Sequence, residues 1–221
     1  MTASRSGAGF HNQAMEVGPQ MLPFRFGVYS AVTPTMSAWR DQARMAEDQG
    51  YSTLYVSDHL DAQFGPLVAT TVAAEATSTL HVGPFVLNND FRHPVDLAKE
   101  IATLGLAAEG RVEVGLGAGW LRSDYEQAGI EFDELALRVD RLAESLAVMK
   151  SLWGDGEAKS AGTHYTVCDA RCEPRPSAPV RFTHPASASA CPYACFCDRD
   201  RRAVLMHFGP RNVVDCPGRK K

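Results

Sequence analysis

The first three quarters of this chain contain no cysteine, and all six cysteines of its 221 residues lie between Cys168 and Cys216. A cysteine-free sequence followed by a cysteine-dense tail suggests that the two parts differ in origin. The chain also lacks any run of about 20 apolar residues, which a membrane-spanning helix requires. Its first 21 residues lack the apolar core of a secretory signal. We therefore expect a cytoplasmic protein that has no membrane partner.

The chain has no excess of positively charged residues over negatively charged ones. Lysines and arginines number 22 against 26 aspartates and glutamates, which gives a formal net charge of -4. A protein that neutralises many phosphates needs a basic surface, so we expect no nucleic-acid partner. The apolar content of 45% is typical of a globular chain that is long enough to form one substantial core.

Short apolar segments alternate with helical patterns along the first part of the chain. Candidate strands cover residues 24–29, 53–57, 81–87 and 111–116. Their starts recur roughly every 30 residues, which is typical of βα units around a parallel sheet. Both an open doubly wound sheet and a barrel fit this spacing, and both place function at the carboxyl ends of the strands.

Helices are predicted between and after these strands. Ser37 is a candidate cap of the first helix, Pro66 and Pro94 suit the first turns of the next two, and Asp133 can cap the last, which ends at Gly154. The apolar stripe of the last helix is predicted to face the core. Its members are Leu135, Val139, Leu142, Leu146, Met149 and Trp153.

Polar residues follow two of the strands. Asp58 and His59 end the second, where a histidine oriented by a carboxylate suits acid/base work. The alternative is a capped or salt-bridged loop. Asn88, Asn89 and Arg92 follow the third strand and suggest polar groups aimed at a ligand, although Asn-Asn-Asp is also common turn chemistry.

Three alternating glycines follow the fourth strand in GLGAGW. Gly115, Gly117 and Gly119 would let the backbone approach a planar or phosphorylated ligand. The alternative is a dinucleotide-binding fingerprint, G-x-G-x-x-G, but Trp120 stands where its third glycine is required. The spacing therefore favours a ligand site without that fingerprint.

Six segments, in order, resemble the luciferase-like oxidoreductase superfamily, and most closely its deazaflavin-dependent branch. They are RFGV, ARMAEDQGY, LYVSDH, VGPFVLNNDFRHPVDLAKEIATL, GRVEVGLGAGW and RLAESLAVMKSLW, between about Arg25 and Pro176. The resemblance implies an α/β fold of the TIM type, a (β/α)8 barrel. It also implies coenzyme F420 (8-hydroxy-5-deazaflavin) and hydride transfer with a small organic substrate. An FMN-dependent monooxygenase is the nearest alternative.

The resemblance also implies roles for single residues. Asp58 and His59 match a pair beside the cofactor ring, and Asn88 matches a polar contact to that ring. Phe85 and Val86 match a bulge of the third strand that carries a non-proline cis peptide in relatives and supports the back of the ring. All five residues are therefore predicted to bind the cofactor.

The turn after the fourth strand is implied to face both ring and substrate. Ala118 and Gly119 are predicted to contact the cofactor, and Trp120 the reacting groups. Some relatives place an acid where this chain has Trp120, which cannot replace it as a proton donor. His59 therefore becomes the predicted acid/base group, with Asp58 beside it.

From Val180 onward, neither a helical nor a strand period is visible, and Arg, Pro, Ala, Ser and Cys dominate. This composition is what a GC-rich gene gives when it is read out of frame. We expect a disordered leader (1–22), a luciferase-like partial barrel of about four βα units (23–176) and an irregular tail (177–221). Zinc binding by the tail cysteines is the alternative, but C-x3-C spacing matches zinc sites poorly, so no metal is predicted.

A barrel of eight units needs about 240 residues, and the first four units have already reached Gly154. We therefore expect that the chain as written does not turn over a substrate. The alternative to an oxidoreductase is a non-catalytic half-barrel. Such a half-barrel would self-associate through the unpaired outer edges of its first and fourth strands.

Overall fold

A computed structural model describes residues 25–30, 34–61, 64–154, 157–176, 179–183, 197–198 and 201–208. The strands are β1 (Arg25–Ser30), β2 (Thr53–Val56), β3 (His81–Pro84), β4 (Leu87–Asn88), β5 (Glu113–Gly117), β6 (Glu157–Ala161), β7 (Thr166–Arg171), β8 (Arg181–Thr183), β9 (Cys197–Asp198) and β10 (Arg201–Phe208). The helices are α1 (Met36–Asp48), α2 (Pro66–Ala76), α3 (Pro94–Ala107), α4 (Arg122–Ala128) and α5 (Leu135–Gly154), with a 3-10 turn at Asn89–Phe91.

The central strands run parallel, in the order β10, β1, β2, β3. A second parallel set follows in the order β4, β5, β8, and a bridge between Val82 and Val112 joins it to β3. β9 pairs antiparallel with β10, and β6 pairs antiparallel with β7. The predicted α/β fold of parallel βα units is confirmed as a partial barrel.

Burial explains why these segments form strands. Every residue of β2 and of β5 is buried, as expected for parallel strands that are covered on both faces. Trp39, Ala43 and Ala46 form the buried face of α1. The indole Nε1 of Trp39 donates a 2.7 Å hydrogen bond to the carbonyl of Ala69, which ties α1 to α2.

Two predicted helix caps are wrong. Thr35 caps α1 instead of Ser37, because its hydroxyl accepts the N–H of Ala38 at 3.1 Å. α5 begins only at Leu135, and the carboxylate of Asp133 ion-pairs with Arg141 instead of capping the helix.

The predicted core stripe of α5 is wrong at its amino end. Leu135 and Val139 are exposed, whereas the buried residues of this helix are Arg138, Ser145, Val148, Met149 and Leu152. α5 packs against α3 and β6. These contacts bury a face of α5 that the apolar periodicity of the sequence did not indicate.

The prediction that the outer edges of the first and fourth strands are unpaired is also wrong. β10 pairs with β1, with Leu205 opposite Gly27, and β8 pairs with β5, with Phe182 opposite Val114. A parallel ladder is made by backbone groups, so tail segments without an apolar period can still pair. Self-association was predicted from these edges being unpaired. Because they are paired, that argument no longer supports it, and self-association stays a prediction.

Several predictions on the tail and the leader fall outside the described residues, among them those on residues 1–22 and on Cys191, Cys195 and Cys216. Cys168 is exposed and Cys172 is buried. Within the described ranges, no group of three or more His, Cys, Asp or Glu side chains could hold a metal ion. In the same ranges, each helix is too short or too polar to cross a membrane.

A carboxylate at the end of α1 holds the connection between α2 and β3. Oε1 of Glu47 accepts the backbone N–H groups of Ser78 at 2.8 Å and of Leu80 at 3.0 Å, as well as that of Thr79. Burial alone would raise the pKa of Glu47, but these hydrogen bonds outweigh it and lower the pKa to about 2. A lowered pKa means that the contribution of Glu47 to stability is complete above its unfolded value of 4.5 and is lost as the pH falls through about 2.

We therefore expect Glu47→Gln to lower the melting temperature at neutral pH. The difference from the wild type should narrow between pH 4.5 and pH 2. Thermal unfolding followed by circular dichroism across this range measures the effect. Glu75→Gln, at an exposed position of α2, is the control and should change stability by less than about 0.5 kcal/mol. A difference that does not depend on pH would contradict this explanation.

Candidate active site

The predicted site residues meet at the carboxyl ends of the parallel strands. Asp58 follows β2, Val86 lies between β3 and β4, and Gly117 ends β5. The backbone N–H of Asn88 donates to Asp58 at 2.9 Å, and Val86 packs against Gly117. Asp58, Val86 and Gly117 therefore lie at one end of the sheet, the end at which parallel βα units are expected to place function.

Asp58 is buried and fully engaged. Arg92 binds it with two hydrogen bonds, of 2.6 Å to Oδ2 and 3.0 Å to Oδ1. Together with the N–H of Asn88, this bidentate pair ties the end of β2 to β4 and to the start of α3. Paired and hydrogen-bonded in this way, the carboxylate is suited to positioning its neighbours rather than to exchanging protons.

His59 makes an ion pair that the sequence did not reveal. Its Nδ1 lies 2.7 Å from Oδ2 of Asp124, a residue of α4. The side chain of Asp124 is 5% exposed. The N–H of Leu60 lies 3.4 Å from the other oxygen of Asp124. A carboxylate bound to one ring nitrogen fixes the orientation and tautomer of the imidazole. Nε2 is then the ring nitrogen that remains for a substrate.

Trp120 lies next to this pair. Its ring meets that of His59 edge to face, with centroids 5.7 Å apart, and the residue is 62% exposed. The turn after β5 thus presents an indole beside the imidazole, at the position where the resemblance implied a residue facing the substrate.

The peptide bond between Phe85 and Val86 is cis, at the bulge for which the resemblance implied such a bond. It splits the predicted strand 81–87 into β3 and β4. The side chain of Val86 lies over Gly115 and Gly117, where an added Cβ would come within 2.7 Å of Cγ1 and 2.9 Å of Cγ2. These two glycines therefore make room for Val86.

Gly119 also makes room for a side chain. Its φ is +75°, and an added Cβ would lie 2.0 Å from the hydroxyl of Tyr125. That hydroxyl is within hydrogen-bond distance of Asp90 (2.9 Å), Asn88 (3.1 Å) and the carbonyl of Ala118 (3.2 Å). Burial, followed by the Asp90 carboxylate, raises the pKa of Tyr125 above its ordinary value, so the phenol stays protonated and can donate.

Arg138 of α5 also fixes the turn after β5. It is buried, and its guanidinium donates to the carbonyls of Ala118 and Gly119 and lies 4.1 Å from the ring centroid of Phe132. Both carbonyls thus receive a charged donor, and that of Ala118 also accepts from the hydroxyl of Tyr125. The conformation that presents Trp120 depends on this contact.

The structure brings every predicted site residue to one end of the sheet, and it adds four residues, of which the sequence had suggested only Arg92 as a ligand-binding group. The predicted ones are Asp58, His59, Phe85, Val86, Asn88, Ala118, Gly119 and Trp120. The additions are Arg92, Asp124, Tyr125 and Arg138. Of these, only Arg92 carried a signal, since it follows the third strand.

Comparison with known families gives one match that covers most of the chain. Residues 15–190 match the family described as luciferase-like monooxygenase. A pyrimidine monooxygenase, RutA, from Escherichia coli (strain SMS-3-5 / SECEC) is 37% identical over 90 residues, which are 40% of this chain and 25% of that protein.

Deazaflavin-dependent enzymes are also among the relatives. An F420-dependent glucose-6-phosphate dehydrogenase from Amycolatopsis mediterranei (strain U-32) is 32% identical over 148 residues, 63% of this chain and 44% of the relative. The solved structure of an F420-dependent secondary alcohol dehydrogenase with an F420-acetone adduct matches 72% of this chain and 51% of its own, with a TM-score of 0.66 and 26% identity. The chain thus spans about half the length of the relatives that it matches.

Proposed function

Because the chain belongs to the luciferase-like monooxygenase family, we propose that it is an oxidoreductase that uses coenzyme F420 and transfers a hydride between this deazaflavin and a small organic substrate. The F420-dependent dehydrogenases among its relatives support this proposal. The observation that carries it is the His59–Asp124 pair at the carboxyl ends of the strands, the end of the sheet at which the Phe85–Val86 bulge also lies.

The residues at this end fit the ring of a deazaflavin. Val86, held over Gly115 and Gly117, offers an apolar surface on which a planar ring can rest. His59 provides polar atoms beside it, and the carbonyls of the turn are already bound by Arg138. When bound in its reduced form, the deazaflavin supplies the hydride.

In this proposal His59 donates the proton. A carbonyl carbon that accepts a hydride leaves a negative charge on its oxygen, and a proton from Nε2 of the doubly protonated His59 ring completes the alcohol, which leaves the neutral ring with its proton on Nδ1 beside Asp124. Asp124, on the other nitrogen, stabilises the protonated ring and keeps Nε2 directed at the substrate. Asp58 positions His59 through the backbone, and Trp120 shapes the substrate side without donating a proton.

The FMN-dependent monooxygenase is a second candidate, which the similarity to the pyrimidine monooxygenase favours. Titrating the purified chain with coenzyme F420 and with FMN, and following ring fluorescence, separates the two. We expect the dissociation constant for F420 to be at least about tenfold lower, a difference of roughly 1.4 kcal/mol. Tighter binding of FMN would contradict the proposal.

The proposal includes weak retention of the cofactor. Arginines near the turn are already engaged, as Arg92 is with Asp58 and Arg141 with Asp90 and Asp133. They are thus poorly placed to bind the phosphate tail of a cofactor. We therefore expect the chain to be purified colourless. That the chain as written turns over no substrate stays a prediction, and the activity proposed here requires cofactor in excess.

A further inference from the structure

We propose that the substrate bound beside His59 is a neutral, mainly apolar carbonyl compound, and not a phosphorylated sugar. This inference rests on the proposed function, because it concerns the substrate side of the same site. It assigns to Trp120 and Leu60 the recognition of the apolar body, and to Nε2 of His59, which donates when the ring is doubly protonated, the recognition of the oxygen.

Two exposed apolar residues lie next to the histidine. Trp120 is 62% exposed, and its ring packs edge to face against that of His59. Leu60, the next residue in the chain, is 45% exposed, and its backbone N–H lies 3.4 Å from Asp124. Apolar side chains around a few placed polar groups are the usual lining of a small-molecule site.

Two arginines of this region are already engaged by carboxylates. Arg92 forms a bidentate pair with Asp58, and Arg141 bridges Asp90 and Asp133. A phosphate that displaced either carboxylate would leave a buried negative charge without its partner, which is costly.

Of the other two arginines of this region, Arg138 is buried and bound to the carbonyls of Ala118 and Gly119. Arg122 is exposed and lies over the ring of Phe132, 4.5 Å from the ring centroid. Among the described residues, three of the four arginines around the turn therefore have carboxylate or carbonyl partners.

The carboxylate beside the histidine also disfavours a phosphate. Asp124 lies directly behind His59 and is nearly buried. A dianionic phosphate near this carboxylate would be repelled, whereas a ketone oxygen needs only one hydrogen-bond donor. The site therefore discriminates against phosphate by charge and favours a neutral body by apolar contact.

Tryptophan fluorescence tests this inference without cofactor. Trp39 is buried and Trp153 packs against Phe182, so Trp120 is the tryptophan most accessible to acrylamide. The emission of Trp120 is obtained by subtracting the spectrum of Trp120→Phe from that of the wild type. Quenching by acrylamide is then measured with cyclohexanone and, separately, with glucose 6-phosphate.

We expect cyclohexanone to protect Trp120 from acrylamide and glucose 6-phosphate to leave the quenching unchanged. Trp120→Ala should weaken cyclohexanone binding, measured by calorimetry, about tenfold, whereas Trp120→Phe should retain most of it. Leu106→Ala is the control, since Leu106 is 46% exposed but lies near the end of α3, away from the site.

Protection by glucose 6-phosphate, or by neither compound, would overturn the inference. Because these measurements need no cofactor, they are independent of the F420 titration. If F420 binds but cyclohexanone gives no protection, only the substrate assignment fails. If cyclohexanone protects Trp120 but F420 does not bind, the proposed function fails while the binding site for a neutral ketone stands.

Discussion

Replacing Gly83 with alanine is expected to prevent stable folding. An alanine Cβ at this position of β3 would lie 1.7 Å from the backbone oxygen of Glu113 and 2.8 Å from its carbonyl carbon. Backbone cannot move aside as a flexible side chain can, so β3 and β5 would have to separate. We expect a loss of roughly 3 kcal/mol or more, a large part of the 5–15 kcal/mol typical of a domain. Urea unfolding measures it.

Gly105→Ala is the matched control for this prediction. Gly105 lies inside α3, and an added Cβ there would meet nothing within 4 Å. Alanine favours the helix over glycine by about 0.5–1 kcal/mol, so this variant should be slightly more stable than the wild type. If Gly83→Ala and Gly105→Ala both unfold like the wild type, the close approach of β3 and β5 is wrong.

Asp124→Asn is expected to slow hydride transfer by about 100-fold or more, the size of a typical contribution from general acid–base catalysis. An amide keeps the shape of the carboxylate, but it cannot stabilise the protonated imidazole of His59. The measurement is the oxidation of excess reduced F420 by cyclohexanone, followed by absorbance. Affinity for F420 should change little, because Asp124 contacts His59 rather than the proposed ring surface.

Asp48→Asn provides the control for charge alone. Asp48 is an exposed carboxylate at the end of α1, and its loss should leave the rate unchanged. An Asp124→Asn variant as fast as the wild type would show that the proton does not come from His59. A variant that is slow only because it is unfolded would be identified by its circular dichroism spectrum.

Local patterns predicted much of this structure. The spacing of apolar segments gave the parallel βα units, and Pro66 and Pro94 correctly indicated the starts of α2 and α3. The carboxyl-end rule then brought Asp58, His59 and the glycine turn together, because parallel strands end at the same edge. These features depend on residues that are near one another in sequence.

The residues that the sequence did not reveal act across long separations. Asp124 meets His59 across 65 positions, and its helix α4 is too short to show a clear period. Arg138 lay within an apolar segment of α5, and nothing local showed that its partners would be the carbonyls of Ala118 and Gly119.

The glycines of GLGAGW show a related limit. Their spacing correctly indicated that another group approaches the backbone closely, but the sequence did not show which group. Two of them accommodate Val86 and the third accommodates the hydroxyl of Tyr125. The pairing of β10 with β1 likewise depends on backbone hydrogen bonds, which leave little trace in side-chain composition.

We propose that a deazaflavin ring binds at the carboxyl ends of β2 to β5, on the side of the His59–Asp124 pair. A crystal structure of this chain with bound coenzyme F420 is the sharpest test. We expect the ring to rest on Val86 and Nε2 of His59 to face the reacting side of the ring, with Asp124 still on Nδ1. A ring bound elsewhere, or a His59 turned away from it, would show that this binding site is wrong.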